Sequence, residues 1–463
     1  MSTKSNVTPQ IAFVDLATFS ELEAYLYGGA MAVTYFVRSV KKANWFSFVH
    51  TSLRLVSGTP DFNQEFSASI NRSGDYVLNS WLRVRVPKLK LTLPTSFTVD
   101  PGVTFRWTHE FMHNLVKKCN ITFNELQVQE FDSRWLDYNH FFTTPASKRV
   151  GYNTMIGEID AMVGPKNAFL GELLGTGGFF NLPLPFWHAV DSGVALPVAA
   201  LPFNDIKYNF SLRDWRDMIV IDPGTSGLSR DALLALITTE AGGDVKLSQV
   251  EVFAHYAVVH NDERVLMGKA PRDILIHQVQ ALAEQPFDAV AALNSYDLRF
   301  SHSIHFLAWG AQNITIKGEL SDYAVLDASI PSDPAFQNGQ DPMAQSTLIY
   351  ENTARTDLGS DYYSTVVPWY WCPSIPDISG LHGYSYSLQA FSLDPMGSTG
   401  YSKLANVSMA IVPSDAAATD ATTMPVIGTI VPASTKRAYR IQLRVRNWNI
   451  VRVSGGSLGL PVL

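Results

Sequence analysis

The sharpest catalytic signal in this chain is HEFMH, residues 109–113. On a helix, His109 and His113 stand at i and i+4 and share a face, where both could ligate zinc. Glu110 would then sit beside a metal-bound water as its general base. That chemistry needs a long helix, and the neighbouring residues argue against one. The strand-like CNITF (119–123) follows almost at once. The longer zinc-peptidase pattern also fails, with Val116 where a glycine is needed and Cys119 where a third histidine would stand. Glu125 or Glu130 could be a third ligand, but neither lies on a recognisable second helix. We expect no catalytic residue, no cofactor, no cofactor-binding residue and no metal ligand here, with a zinc peptidase built on HEFMH as the alternative.

Weaker signals read the same way. GELLGTGG (171–178) lacks both the dinucleotide glycine spacing and the P-loop Lys-Ser/Thr, so it reads as a loop. Asp191-Ser192-Gly193 lies in a proline-rich stretch with no nucleophile elbow. Cys119 and Cys372 have no C-x-x-C partners and read as small buried hydrophobes. Lys436, Arg437, Arg440, Arg444, Arg446 and Arg452 form a basic C-terminal stretch with no acid after Asp420. A solvated strand face or intersubunit salt bridges explains it better than nucleic acid or lipid headgroups. Pro368-Trp369-Tyr370-Trp371 reads as core or interface packing rather than a stacking platform.

The elements that would position these residues are mostly strands. WLRVRVP (81–87) alternates Leu82, Val84 and Val86 with Arg83 and Arg85, the period of a half-buried strand. NITFNELQVQEF (120–131) reads as two strands with a turn at Asn124-Glu125. Before them, Asp15 or Thr18 could cap a short helix ended by Gly28-Gly29. Residues 222–244 carry turn chemistry at both ends around one short helix and make the best linker candidate. Residues 319–346 and 411–436 read as surface loops.

The chain also echoes itself. RWTHEFMHNLVKKCNIT (106–122) aligns without gaps on RFSHSIHFLAWGAQNIT (299–315), and YNFSLRDW (208–215) on IQLRVRNW (441–448). Two anchors in the same order suggest a duplicated unit of roughly 200 residues. The second copy puts Ser303 in place of Glu110 and moves its second histidine to His305, which further weakens the zinc reading.

The length of 463 residues allows two or three domains with real cores, and a net charge of −7 argues against a dedicated nucleic-acid binder. Two cysteines make no disulfide framework, so a reducing compartment is expected. No secretory signal is seen, and residues 24–37 are too short for a membrane span. The sequons at Asn6, Asn71, Asn120, Asn209, Asn313 and Asn406 are therefore expected to be unused.

One long segment, LPLPFWHAVDSGVALPVAALPFNDIKYNF (182–210), resembles the signature of the major capsid proteins of nucleocytoplasmic large DNA viruses. FSASINRSGDYVLNSWL, KRVGYNTMIG, YENTAR, YYSTVVPWYW and the ending GSLGLPVL extend the resemblance over essentially the whole chain. It is strongest to the iridovirus and marseillevirus branch. The resemblance implies an all-β fold of two tandem antiparallel jelly rolls with short helices in the loops. We expect an N-terminal arm (1–45), a first roll (46–221) and a second roll (222–463). It further implies homotrimeric, pseudo-hexagonal capsomers tiling an icosahedral capsid that is assembled in host cytoplasm. The implied partners are neighbouring capsomers, minor capsid and penton proteins, and membrane-associated viral proteins beneath the shell, with no specific nucleic acid. The HEFMH string is not part of the family pattern. A carbohydrate-binding sandwich module is a second alternative.

Overall fold

A computed structural model describes residues 10–269, 271–325, 340–418 and 437–461. The chain divides into two compact units, Met1–Trp45 and Phe46–Leu463.

In the first unit, helix α1 (Gln10–Ala17) is closed by Thr18, whose N–H and hydroxyl both donate to the Asp15 carbonyl. Helix α2 (Glu21–Tyr27) is capped by Ser20 rather than by Asp15 or Thr18. Glu23 reaches back to the Ser20 N–H at 3.1 Å, closing a capping box, and Gly28 ends the helix. Leu22, Tyr25, Leu26, Tyr27, Tyr35 and Phe36 of this unit are all exposed.

The second unit is built on sixteen principal strands. The first eight are β1 (Phe46–Ser52), β2 (Glu65–Ser69), β3 (Tyr76–Arg85), β4 (Val116–Phe123), β5 (Leu126–Asp132), β6 (Phe179–Pro183), β7 (Ile206–Leu212) and β8 (Gln249–Val259). The second eight are β9 (Arg272–Ala281), β10 (Asn294–Asp297), β11 (Ser303–Asn313), β12 (Met343–Tyr350), β13 (Thr353–Gly359), β14 (His382–Ser385), β15 (Val407–Pro413) and β16 (Tyr439–Ser454). The first set pairs in the orders β1-β8-β3-β6 and β2-β7-β4-β5, the second in β9-β16-β11-β14 and β10-β15-β12-β13. Adding eight to every label of the first pair of sheets generates the second pair. Each half is a jelly roll, in which the last strand of each sheet inserts between the first and second.

This order corrects the expected boundary at 221/222. Residues 237–259 lie beyond it, yet β8 hydrogen bonds to β1 and β3 and completes the first roll. Helix α3 (Phe111–Leu115), helix α4 (Ser133–Thr143) and helix α5 (Ala146–Ile156) interrupt the first roll, and helix α6 (Asn261–Lys269) connects the rolls. The expected short helix in 222–244 is present at Arg230–Leu234, but the segment lies inside the first roll.

It also corrects the repeat alignment. The anchors overlay β4 on β11 and β7 on β16, whereas the sheet orders make β4 equivalent to β12 and β7 to β15. In both halves the anchors form an adjacent antiparallel pair, β4 with β7 and β11 with β16, which gives the echo its order. Duplication exists in the topology, but the matched residues are not the equivalent ones.

A sounder equivalence lies at the hairpins. Asn124 and Glu125 link β4 to β5 with φ 48° and 69°; Glu351 and Asn352 link β12 to β13 with φ 46° and 65°. Both are two-residue turns with positive φ, the twist-compatible hairpin connection. Asn124 N–H donates to the Asp205 carbonyl and Glu351 N–H to the Asn406 carbonyl, each at 3.0 Å. Their side chains repeat the contact. Asn124 Oδ1 accepts from Asp205 N–H at 2.6 Å, and Glu351 Oε1 accepts from Ala405 N–H at 2.6 Å and Asn406 N–H at 3.1 Å. In each roll the turn thus clasps the chain just before the seventh strand.

One hydrophobic core fills the second roll around Leu307, Trp309, Ile441, Leu443 and Val445. The other fills the first roll and extends onto Ile274, Ile276, Phe306 and Ala308 of β9 and β11. The sheet β9-β16-β11-β14 is therefore buried on both faces, one against its own roll and one against the first roll. Nothing in an alternating pattern distinguishes a polar face towards water from one towards a second roll.

Candidate functional site

The joint between the rolls gathers most of the chain's buried charge, including the HEFMH string. Helix α3 starts only at Phe111. Glu110 before it is left-handed, with φ 51° and ψ 50°, so His109 is outside the helix and the i, i+4 face never forms. His109 Nδ1 lies 2.6 Å from Glu158 Oε1, while Glu158 Oε2 accepts from Glu110 N–H at 2.8 Å. His113, wholly buried, turns elsewhere. Its Nε2 is 2.8 Å from Tyr152 Oη, and its Nδ1 is 2.9 Å from Asp137 Oδ1 and 3.1 Å from Glu110 Oε2.

Glu110, His113 and Asp137 therefore bring three potential ligand atoms within 4.8 Å of one another. Hydrogen bonding accounts for the arrangement. If the Tyr152 hydroxyl donates to Nε2, the imidazole proton sits on Nδ1 and faces Asp137, leaving no ring lone pair for an ion. Burial, then the nearby Glu158 and Asp137 charges, hold the Glu110 carboxyl well above its usual range. A carboxyl that keeps its proton is a poor general base.

Asp137 is the hub. Besides His113 it accepts from Ser321 Oγ at 2.8 Å, Tyr323 Oη at 2.8 Å and Arg134 Nη1 at 3.3 Å. Burial opposes its ionisation, but the hydrogen bond from His113, the Arg134 charge and the Ser321 bond outweigh it and keep the carboxyl below its usual range. Glu319 forms a second knot. It accepts from Thr108 Oγ1 at 2.9 Å and His109 N–H at 3.2 Å, and pairs with Arg106 at 2.8 Å. Burial again works against its charge, and Arg106 and His109 overcome it. Asn114 Nδ2 donates to Ser321 Oγ at 2.7 Å and Tyr138 Oη to the Gln442 carbonyl at 2.9 Å. Arg444 meets Asp132 through Nε at 3.0 Å.

Glu319, Ser321, Asp322 and Tyr323 are thus buried at the joint, with Leu320 half-buried between them, and not in a surface loop. The expected solvated face of the C-terminal strand is corrected too. Arg444 and Arg446 are buried, the latter 5.1 Å over the Phe391 ring, while Arg440 and Arg452 pair with Glu284 and Asp273. Lys436 lies outside the described residues, as do 326–339 and 419–436 of the expected loops.

The hub ties helices of the first roll to residues 319–323 of the second through buried side chains. Comparison with known proteins identifies the family. Residues 34–259 match the family model for the major capsid protein N-terminus, and residues 263–459 that for the large eukaryotic DNA virus major capsid protein. The major capsid protein of Costelytra zealandica iridescent virus is 43% identical over 99% of both chains. That of Frog virus 3 is 36% identical over 97% of both. This chain belongs to the major capsid protein family of large DNA viruses. Among solved structures, the PBCV-1 virus capsid matches with a TM-score of 0.72 at 19% identity, covering 93% of this chain and 100% of that one. The Faustovirus major capsid protein matches with 0.66 at 12% identity, covering 96% and 97%. These two show the double jelly-roll fold.

The family is structural, so this capsid protein is not an enzyme. The remaining sequence candidates fit that role. Cys119 and Cys372 have thiols pushed up by burial, Cys372 to about 12. Asp191 caps its own turn, accepting from Gly193 N–H at 3.0 Å. Glu130 pairs with Lys118 and Glu125 lies near Lys207, both on the capsid protein's surface. Asn209 Nδ2 donates to Asn120 Oδ1 at 2.8 Å, and Asn313 is buried. Pro368 packs inside, but Trp369 and Tyr370 are exposed, so only the interface half of their expected role stays open. Sequence reasoning missed the joint. Its one signal was SRWLDYNHF (133–141), where charged residues fall among aromatics at helical spacing.

Proposed function

We propose that this capsid protein forms homotrimers that serve as pseudo-hexagonal capsomers of an icosahedral shell. One observation carries the reading: each chain holds two rolls of identical strand order locked by a buried polar joint. Three chains then present six similar bodies, and closed rotational symmetry is the usual form of soluble oligomers. The exposed apolar residues of Met1–Trp45, with Trp369 and Tyr370, suit contacts with other chains, because such area favours burial. Neighbouring capsomers, minor capsid and penton proteins, and membrane-associated viral proteins are the partners this reading assigns, with assembly in host cytoplasm. Native mass measurement tests it. A particle of three times the 51.2 kDa chain mass is expected, and a monomer at every concentration would overturn the proposal.

A further inference from the structure

A cleft of about 440 Å³ opens at the mouth of the joint, between the start of β4, the start of α4, the residue after β7 and the start of β16. Five cations line it: Lys117, Lys118, Arg134, Arg213 and Arg440. Its three acids are already engaged. Asp132 holds Arg444, Glu284 holds Arg440, and Glu319 holds Arg106. Lys118 has Glu130 and Arg134 has Asp137. Among the described residues, Lys117 and Arg213 are left without a carboxylate in ion-pair contact, with Asp217, Glu284 and Asp132 acting on Arg213 only from farther off.

Arg213 is the more telling of the two. Its Nε donates to the Asn114 carbonyl at 3.0 Å and its Nη2 to Ser133 Oγ at 3.3 Å, which fixes the fork. Burial, then the like charge of Arg134, lower its pKa to about 10, so it stays protonated at neutral pH. A half-buried guanidinium held beside a second one costs free energy until an anion joins them. A rigid guanidinium fork suits the paired oxygens of a tetrahedral oxyanion. The chain as a whole is acidic at −7, so general charge attraction would not bring an anion here.

We propose that this cleft binds an inorganic oxyanion of the phosphate–sulfate class, held by Arg213 and Lys117. The test uses the full-length protein as purified. Its melting temperature is followed against phosphate, and separately against sulfate, at ionic strength held constant with sodium chloride. A saturable rise is expected for both, because a ligand that binds only the folded state stabilises it. Arg213→Met should weaken the apparent affinity by about tenfold or more, and Lys117→Gln by about threefold. Lys246→Gln, remote from the cleft cations, should leave it unchanged. Lys117 is exposed, so its variant decides the matter even if Arg213→Met fails to fold. No saturable rise in the wild type, or an unchanged response in Lys117→Gln and in any folded Arg213→Met, overturns the proposal.

Discussion

The two rolls share sheet order and clasp, and differ in what their outer strands face. The first roll spends its connections on α3, α4 and α5, which together with their flanking residues supply His109, Glu110, His113, Asp137 and Glu158 to the joint. The second roll contributes the doubly buried sheet β9-β16-β11-β14 and the segment 319–323. Topology has therefore been kept where it closes each sandwich, while side chains have diverged where the sandwiches meet. The clasp at Asn124 and Glu351 is kept in geometry although its residue type changed, because the backbone contact, not the side-chain identity, sets the hairpin.

The comparison breaks most severely at the hub. Asp137→Ala leaves Arg134 buried without its counter-charge and His113, Ser321 and Tyr323 without their acceptor, and should cost about 3–5 kcal/mol in denaturant unfolding. If the rolls were independent bodies on a linker, the loss would be confined to one of two transitions; a single shifted transition is expected.

Acid separates the buried histidines of β9 and β11 from the hub. His277 and His305 lie buried in the second roll, and burial followed by Arg446 keeps both imidazoles far below their usual range. A histidine with a lowered folded pKa loses nothing above the unfolded value of about 6.5. Its cost appears as pH falls below that value, reaching about 2 kcal/mol per residue at pH 5. His277→Gln/His305→Gln should therefore be about 4 kcal/mol less sensitive to a drop from pH 7 to 5, read from urea midpoints. Glu110 has the opposite sign. Its raised carboxyl favours the folded state at low pH, and the benefit is lost as pH rises above the unfolded range. Glu110→Gln should flatten that opposing slope between pH 5 and 7. Equal slopes in all three proteins would refute the assignment.

The clasps offer a smaller contrast. Asn124→Ala and Glu351→Ala should each cost about 1–2 kcal/mol, and similar values would support their equivalence. Glu125 lacks such a bond, so Glu125→Gly should instead gain about 0.5–1 kcal/mol by relieving a positive φ. A loss of stability in that variant would place strain elsewhere in the turn.

Much of this was legible in the residues. The alternation in WLRVRVP marked β3, Asn124-Glu125 marked a hairpin, and Val116 and Cys119 undercut the zinc motif. The repeat anchors misled because period-two strands resemble one another wherever they lie, so Asn120 could match Asn313 across non-equivalent positions. The boundary at 221/222 failed because a jelly roll finishes with its last strand beside its first, and β8 returns long after the linker-like stretch. The joint stayed hidden because Arg444 and Arg446 occupy the polar side of an alternating strand, and only tertiary structure shows that this side faces a second roll. In the structure the HEFMH histidines serve hydrogen bonds within the chain, His109 with Glu158 and His113 with Asp137 and Tyr152.

Locating Asp137, Glu319 and Arg444 inside one chain has a mechanical consequence. Their buried bonds cross from one roll to the other, so bending the chain between its rolls would require breaking them. In the shell proposed above, curvature would then fall to the seams between chains before it reached the joint.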